Sequence, residues 1–457
     1  MVRYTSQFQA KFQEFSSLYQ LRLNPDNRWI QLASLLPWDE MVYIYKKKFN
    51  NTIGAPSVNP RYIIGAFVIK HKLRLSDEET LQTISENPYM QFFLGLEDYT
   101  PELLFSPTLF VEARKKLGDD TFNEFTELII KASHPELSGK GEGQETTNKG
   151  HLKIDATVAD QYISYPNDLS LVNQARIKTE KMIDQLFDKL RGQMPVKPRT
   201  YRKLAHNRYL REAKKKQKSA KSVRKAIRYL LNSVGRNLKH IDNMLDLPNN
   251  KQSFGLSFNQ QKQLWVIYTL YGQQKMMYDE KTHTCPDRIV SISQPHVRPI
   301  VRGKQGKSVE FGSKLGLSLI DGYMSNETLS WDAYNECHDL QKQAEAYRLL
   351  FGHWPELIQA DKIYATNANR AWCKERNIRL TATPKGRPVK KTARQKQKER
   401  KEYAERNHIE GRIGNAKQAF SLNQIKAKLK DTSQTWIAAT LFVMNLSKFA
   451  DNLNATF

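Results

Sequence analysis

Four polar residues near the C-terminus, Tyr403, Arg406, Glu410 and Lys417, sit at i, i+3, i+7 and i+14. On a helix turning about 100° per residue they share a stripe roughly 60° wide. A phenol, a guanidinium, a carboxylate and an ammonium on one face suit phosphate and metal better than core packing. Glu410 can hold a cation, and Arg406 and Lys417 can hold phosphate oxygens. A solvated helix face with ordinary charge pairs fits the same spacing, so the stripe alone leaves both readings open. Two aspartates stand on expected strands. His151 to Asp160 alternates as a strand, and a carboxylate at Asp155 is costly there unless paired or metal-bound. Asp160 falls nearer the strand end and reads as a turn residue or as one supporting the site from behind. Glu356 to Asp361 is a short strand ending in Asp361, followed by a helix at 367–376 and a strand at 378–383. Open α/β sheets place active residues at such strand ends.

The stripe resembles the Tyr-Arg-Glu-Lys signature of bacterial insertion-sequence transposases. Asp361 with Lys362, Ile363, Tyr364, Asn367, Asn369, Arg370 and Cys373 looks like that group's second-aspartate block. The resemblance implies an α/β ribonuclease-H-like catalytic core whose DDE triad is Asp155, Asp361 and Glu410. Two Mg²⁺ ions, with Mn²⁺ as substitute, would sit on these carboxylates, because hard cations take oxygen ligands. It implies a DNA transposase that cleaves at transposon ends and joins the freed 3′-hydroxyl to target DNA without a covalent protein–DNA intermediate. Arg406 and Lys417 would hold the DNA backbone, with Tyr403 packing or hydrogen-bonding beside it. The partner is double-stranded DNA, both terminal inverted repeats and target, bound by a homodimer. One feature departs from better-known members: the long insertion follows the first strand instead of lying between the second Asp and the Glu. That removes the basis for assigning a base-flipping tryptophan. Two alternatives remain, a catalytically silent DNA-binding relative and a ribonuclease-H-like nuclease without strand transfer.

Composition agrees with a polyanionic partner. Among 457 residues, 72 Lys plus Arg face 47 Asp plus Glu, a formal net charge of +25. No apolar run approaches the ~20 residues needed to span a bilayer, and the N-terminus lacks a signal-peptide core. The expected location is the cytoplasm, on the bacterial nucleoid. Cys285, Cys337 and Cys373 are odd in number and far apart, which argues against a disulfide framework.

These residues need elements to position them. Residues 1–133 read as an all-helical N-terminal domain, with a helix over Arg61–Lys72, a capping box at Ser76 and Glu79, and a basic helix after Ser106-Pro107. A helix-turn-helix and a helical dimerisation bundle both fit; the resemblance favours binding of DNA ends. Residues 134–150 form a polar linker. The catalytic domain is then 151–165 with 286–457, interrupted by a basic helical insertion at 166–285. In the insertion, Lys214, Lys215 and Lys216 centre a long one-signed run with Tyr201, Tyr209 and Tyr229 interleaved, a candidate for tracking phosphate. Trp265, with Tyr268 and Tyr271, has core-like spacing; base stacking is its other reading. Strands are expected at Arg288–Ile292 and Val309–Ile320. Between them, the loop with Arg302 and Lys304 suits a hairpin tip gripping DNA, since it lacks the spacing of a nucleotide-binding loop. A helix is expected at Asn335–Gly352 and an apolar closing helix at Thr435–Leu446.

Overall fold

The computed structural model describes residues 23–49, 57–137, 147–247, 255–301, 309–381 and 392–453. The described helices before the first strand are Arg28–Leu35 (α1), Trp38–Lys46 (α2), Pro60–Leu73 (α3), Asp77–Glu86 (α4), Pro88–Leu94 (α5) and Thr108–Ser133 (α6). His151–Asp160 (β1) precedes Asp168–Lys189 (α7), Arg202–Ala213 (α8), Ala220–Leu245 (α9), Phe258–Glu280 (α10) and Arg298–Val301 (β2). The chain ends with Val309–Ile320 (β3), Tyr323–Ser330 (β4), Asp339–Phe351 (α11), Leu357–Gln359 (β5), Asn367–Glu375 (α12), Arg379–Thr381 (β6), Ala393–Ala419 (α13) and Lys430–Asn452 (α14). Two compact units divide it: Met1–Gln161 with Ser313–Phe457, and Tyr162–Gly312.

In the first unit the local signals act as written. Asn59 caps α3 ahead of Pro60, and Ser76 with Glu79 closes the capping box of α4. The long α6 is broken by Gly118, whose φ of 69° and ψ of 179° only glycine adopts readily. Helices 28–133 bury their apolar faces in the same core as the sheet. Helix α14 is the bridge, because it packs along α6 and α3. Phe442 of α14 meets Phe125 at 5.5 Å between ring centroids, and Thr435 donates to the Arg114 carbonyl at 2.9 Å. The unit boundaries fall at 161/162 and 312/313, so the helices of 28–133 belong to the same unit as the sheet.

The strands of this unit run in the order β4-β3-β1-β5-β6. β5 is parallel to β1 (His151 opposite Leu357, Lys153 opposite Gln359) and β6 is parallel to β5. β3 and β4 form an antiparallel hairpin through Asp321 (φ 44°) and Gly322 (φ 89°). Two positive φ values in a two-residue loop are those of a type I′ turn, for which Asp-Gly is a strong signal. β4 was not among the expected strands, because its polar run Ser325-Asn326-Glu327-Thr328 masks the alternation. Helix α13 lies against β1, β5 and β6, and α11 against β1 and β4. Because side chains alternate along β1, Lys153 and Asp155 leave one face while Leu152 and Ile154 leave the other.

The second unit has its own core, built from α7, α9 and α10 around Val172, Ile183, Leu186, Val234, Leu238 and Ile267. A buried ion pair, Arg176 to Glu180 at 2.7 Å, is embedded in it. The expected strand at Arg288–Ile292 does not form. Ile289 and Ile292 are drawn into the helical core, and the Ile289 N–H donates to the Gln273 side chain at 3.0 Å instead of to a strand. β2 begins later, at Arg298, and pairs antiparallel with the start of β3. Trp265 departs from its core-like spacing: it is 75% exposed on α10. The loop carrying Arg302 and Lys304 lies outside the described residues.

Candidate active site

Asp155 sits midway along β1, half-buried beside α13. One of its oxygens accepts from the Ala156 N–H at 2.8 Å. Burial raises its pKa above 3.8; the Arg406 charge opposes this, while Glu336 and Glu410 add to it. Asp361 lies two residues past β5, exposed, and caps a short 3₁₀ turn by accepting from the Lys362 N–H at 2.6 Å. Glu410 is on α13 and receives a hydrogen bond from the Arg406 guanidinium at 2.8 Å.

Arg406 is hydrogen-bonded to Glu410, and the charges of Asp361 and Asp155 also act on it. It is only 7% exposed, and its Nε has no hydrogen-bond partner. Burial by itself lowers the pKa of such a group; Glu410, the Tyr403 hydroxyl, Asp361 and Asp155 outweigh burial and raise it. Acids from a strand, a strand end and a helix therefore act on one cation, and Tyr403 packs on that cation with its ring centre 5.3 Å away. The sequence spacing placed Arg406 at a DNA phosphate; in this structure it faces the carboxylates, as an i, i+4 partner of Glu410 does. Lys417 is half-buried further along the same helix, roughly 10 Å beyond Glu410.

Among the described residues no three His, Cys, Asp or Glu side chains are gathered closely enough to hold a metal ion. The donors are nevertheless of the kind a hard dication takes, all carboxylate oxygens. The Asp155 pKa is raised chiefly by burial, which the Ala156 N–H and the Arg406 charge do not fully offset. Arg406 takes only one oxygen of Glu410, whose side chain is 54% exposed, so the other oxygen is accessible to a metal with the pair closed.

Two neighbours were missed. Glu336, in the 3₁₀ turn before α11, pairs with Lys314 at 2.7 Å and raises the pKa of Asp155. Tyr364 is fully buried, its hydroxyl has no hydrogen-bond partner, and burial with Glu336 and Asp155 raises its pKa. Tyr364 was visible in the Asp361 block; Glu336 had only its place after a β-hairpin to single it out.

The basic triplet of the second unit is uneven. Lys214 and Lys216 are exposed, whereas Lys215 pairs with Glu212 at 2.6 Å. The interleaved tyrosines are partly taken by arginines, with Arg208 4.0 Å from the Tyr229 ring centre and Arg236 5.1 Å from that of Tyr201.

No helix of the described residues is long and apolar enough to cross a membrane. No solved structure matches the chain. It is 29% identical over 153 residues, 34% of its own length and 71% of the relative's, to an uncharacterized protein, ORF8 in the nfe locus, of Rhizobium meliloti. Residues 16–116 match the family model of a transposase domain. Residues 358–447, which carry Asp361 and the whole Tyr403–Lys417 stripe, match that of a transposase DDE domain. Together the two matches support an insertion-sequence transposase with a DDE domain.

Proposed function

We propose that the chain is the DNA transposase of an insertion sequence, with a ribonuclease-H-like core that cleaves transposon ends and joins them to target DNA. The observation that carries this is Arg406, hydrogen-bonded to Glu410 on α13 and within electrostatic reach of Asp155 on β1 and Asp361 past β5. The strand order and the parallel β1–β5 pairing suit the same core. Asp155, Asp361 and Glu410 would hold Mg²⁺, which when bound activates the attacking oxygen and stabilises the leaving one. The chain's own part is to orient. β1 and the end of β5 fix the two aspartates, and α13 carries Glu410 alongside. Arg406, which keeps donors beyond the one given to Glu410, is placed to meet a DNA phosphate, with Tyr403 packed on the guanidinium. Lys417 grips a second phosphate, being too far along α13 to share a metal with Glu410. Residues 1–133 bind the transposon ends, and the insertion adds sequence-independent grip.

A catalytically silent DNA-binding relative is favoured by one observation, that among the described residues no three metal-ligating side chains stand close enough to hold an ion. Mg²⁺-dependent nicking of DNA carrying the element's terminal repeats decides between them. Nicking that needs Mg²⁺ or Mn²⁺ and then yields joined target DNA supports the transposase. Cleavage without joined product indicates a nuclease, and binding without cleavage the silent relative.

A further inference from the structure

Helix α13 has a second chemical flank. Its buried stripe is Ile409 and Ala416. At about 100° per residue, Arg406 and Glu410 border that stripe on one side, and His408 and Arg412 border it on the other. On this second side lies a cavity of about 590 Å³, lined by Lys153 of β1, Asp321 and Gly322 of the β-hairpin turn, His408 and Arg412 of α13, and Lys448 of α14.

The charge in this cavity is unbalanced. Lys153 is only 7% exposed, and no hydrogen bond or ion pair joins its ammonium to any described residue. Lys448 lies over the turn with its ammonium 5.4 Å from the Tyr323 ring centre, and likewise has no acid partner among the described residues. Gly322 is what lets Lys448 lie there, since a Cβ on it would come within 2.6 Å of Lys448 Cε. Arg412 donates to the carbonyls of Gly322 at 2.9 Å and Met444 at 3.1 Å, neither of which carries a full charge. Asp321 is the one acid lining the cavity. Its carboxylate is already engaged by His134 at 3.5 Å; that contact lowers the Asp321 pKa most, and the Lys153 and His151 charges add to it, so one carboxylate answers several cations. Lys153 has its stem buried and its ammonium in no direct hydrogen bond or ion pair with a described residue, and cations from three separate elements facing one cavity are arranged for an anion.

We propose that the cavity formed by Lys153, His408, Arg412 and Lys448 is a phosphate-binding site, and that it takes a backbone phosphate of DNA lying along α13 on the side away from Glu410. Lys153 is two residues from Asp155 on the same face of β1, about 7 Å along the strand. Catalytic carboxylate and phosphate grip are thus set by one rigid element. The proposal rests on the reading of the chain as a DNA-acting protein, but its test reads binding and not cleavage.

Lys153→Met and Lys448→Met keep the apolar stem and remove the charge. Binding of the full chain to duplex DNA is followed across a salt series, and melting temperature across a series of inorganic phosphate at constant ionic strength. Each substitution should flatten the slope of log Kobs against log salt by up to ~0.9, and each should abolish the rise in melting temperature produced by phosphate. Loss of phosphate stabilisation with an unchanged DNA slope would assign the cavity to a free phosphate compound and overturn the DNA source. Variants that match the parent in both measurements overturn the site altogether. If Lys153→Met lowers the melting temperature without phosphate, the partly exposed Lys448 variant decides. A wild-type chain that binds DNA but never cleaves it would sink the catalytic proposal and leave this one standing.

Discussion

Two ionic clusters in the first unit, each of acids and bases, behave in opposite ways. Lys70, Asp77 and Arg114 join α3, α4 and α6. Asp77 takes a bidentate hydrogen bond from Arg114 and a 3.0 Å contact from Lys70. Burial works against the Asp77 charge, but the two cations outweigh it and hold its pKa below 3.8. At the candidate site the balance is reversed. Asp155 has one backbone donor, its cation Arg406 is shared with Glu410 and Asp361, and its pKa is raised. A cluster whose charges are matched by direct hydrogen bonds contributes to stability. One with an excess of carboxylate around a single shared cation is costly until a ligand arrives, and active sites are where such cost is tolerated.

The largest expected effect tests the open cluster. Asp155→Asn, Asp361→Asn and Glu410→Gln should each lower metal-dependent cleavage about 10³-fold or more, since a bound metal's share of transition-state stabilisation is several kcal/mol. Affinity for DNA ends, measured by gel shift, should be largely kept. A variant that cleaves at near the parent rate removes that residue from the triad.

Next comes the closed cluster. Asp77→Ala leaves Lys70 and Arg114, 1% and 4% exposed, without their carboxylate. Removing one partner of a buried ion pair typically costs about 3–5 kcal/mol, so the apparent melting temperature should drop sharply. A loss of under about 1 kcal/mol would mean that the cluster is solvated in solution.

The third test sets the clusters against each other by pH. Asp77, with its folded pKa lowered, contributes stability that is present above its unfolded value near 3.8 and lost as pH falls through the folded value. Asp155, with its folded pKa raised, favours the folded state most below 3.8 and penalises it as pH rises through the folded value. Without metal, Asp155→Asn should therefore raise the melting temperature at pH 7, with the gain vanishing below about pH 4. Asp77→Asn should lower it at pH 7, and that loss should shrink in acid. A destabilising Asp155→Asn at pH 7 would show that its carboxylate is as well paired as Asp77.

The sequence showed the open cluster better than the closed one. Asp155, Asp361 and Glu410 stood out because a strand, a strand end and a helical stripe each carry a local pattern, and the matched DDE stretch contains two of the three. Arg406 was seen on the stripe, but its turn toward the acids depends on how α13 lies on the sheet, which no spacing encodes. Lys70, Asp77 and Arg114 read as ordinary helix charges, because their meeting depends on three helices packing together. The strand expected at 288–292 failed for the same reason: its isoleucines suit a strand or a helical core equally, and tertiary packing chose the core. Asp321-Gly322 was local and legible, and would have located β4.

The smallest effect carries the same contrast into the second unit. Lys214, Lys215 and Lys216 are alike in sequence, yet Glu212 accepts from Lys215 at 2.6 Å and from the Ser222 hydroxyl at 2.7 Å, closing the turn between α8 and α9. Those two donors lower the Glu212 pKa, the sign of a satisfied cluster. Lys214 and Lys216 are exposed. If matched charges serve stability and unmatched ones serve ligands, Lys214→Ala and Lys216→Ala should each flatten the salt dependence of duplex binding by up to ~0.9 log unit. The loss should be about equal for end and random sequences, because a phosphate contact carries no sequence information. Lys215→Ala should leave the slope alone and slightly lower the melting temperature. Equal slopes for all three variants would show that pairing with Glu212 yields to DNA, and that a closed cluster on an exposed turn is no guide to role.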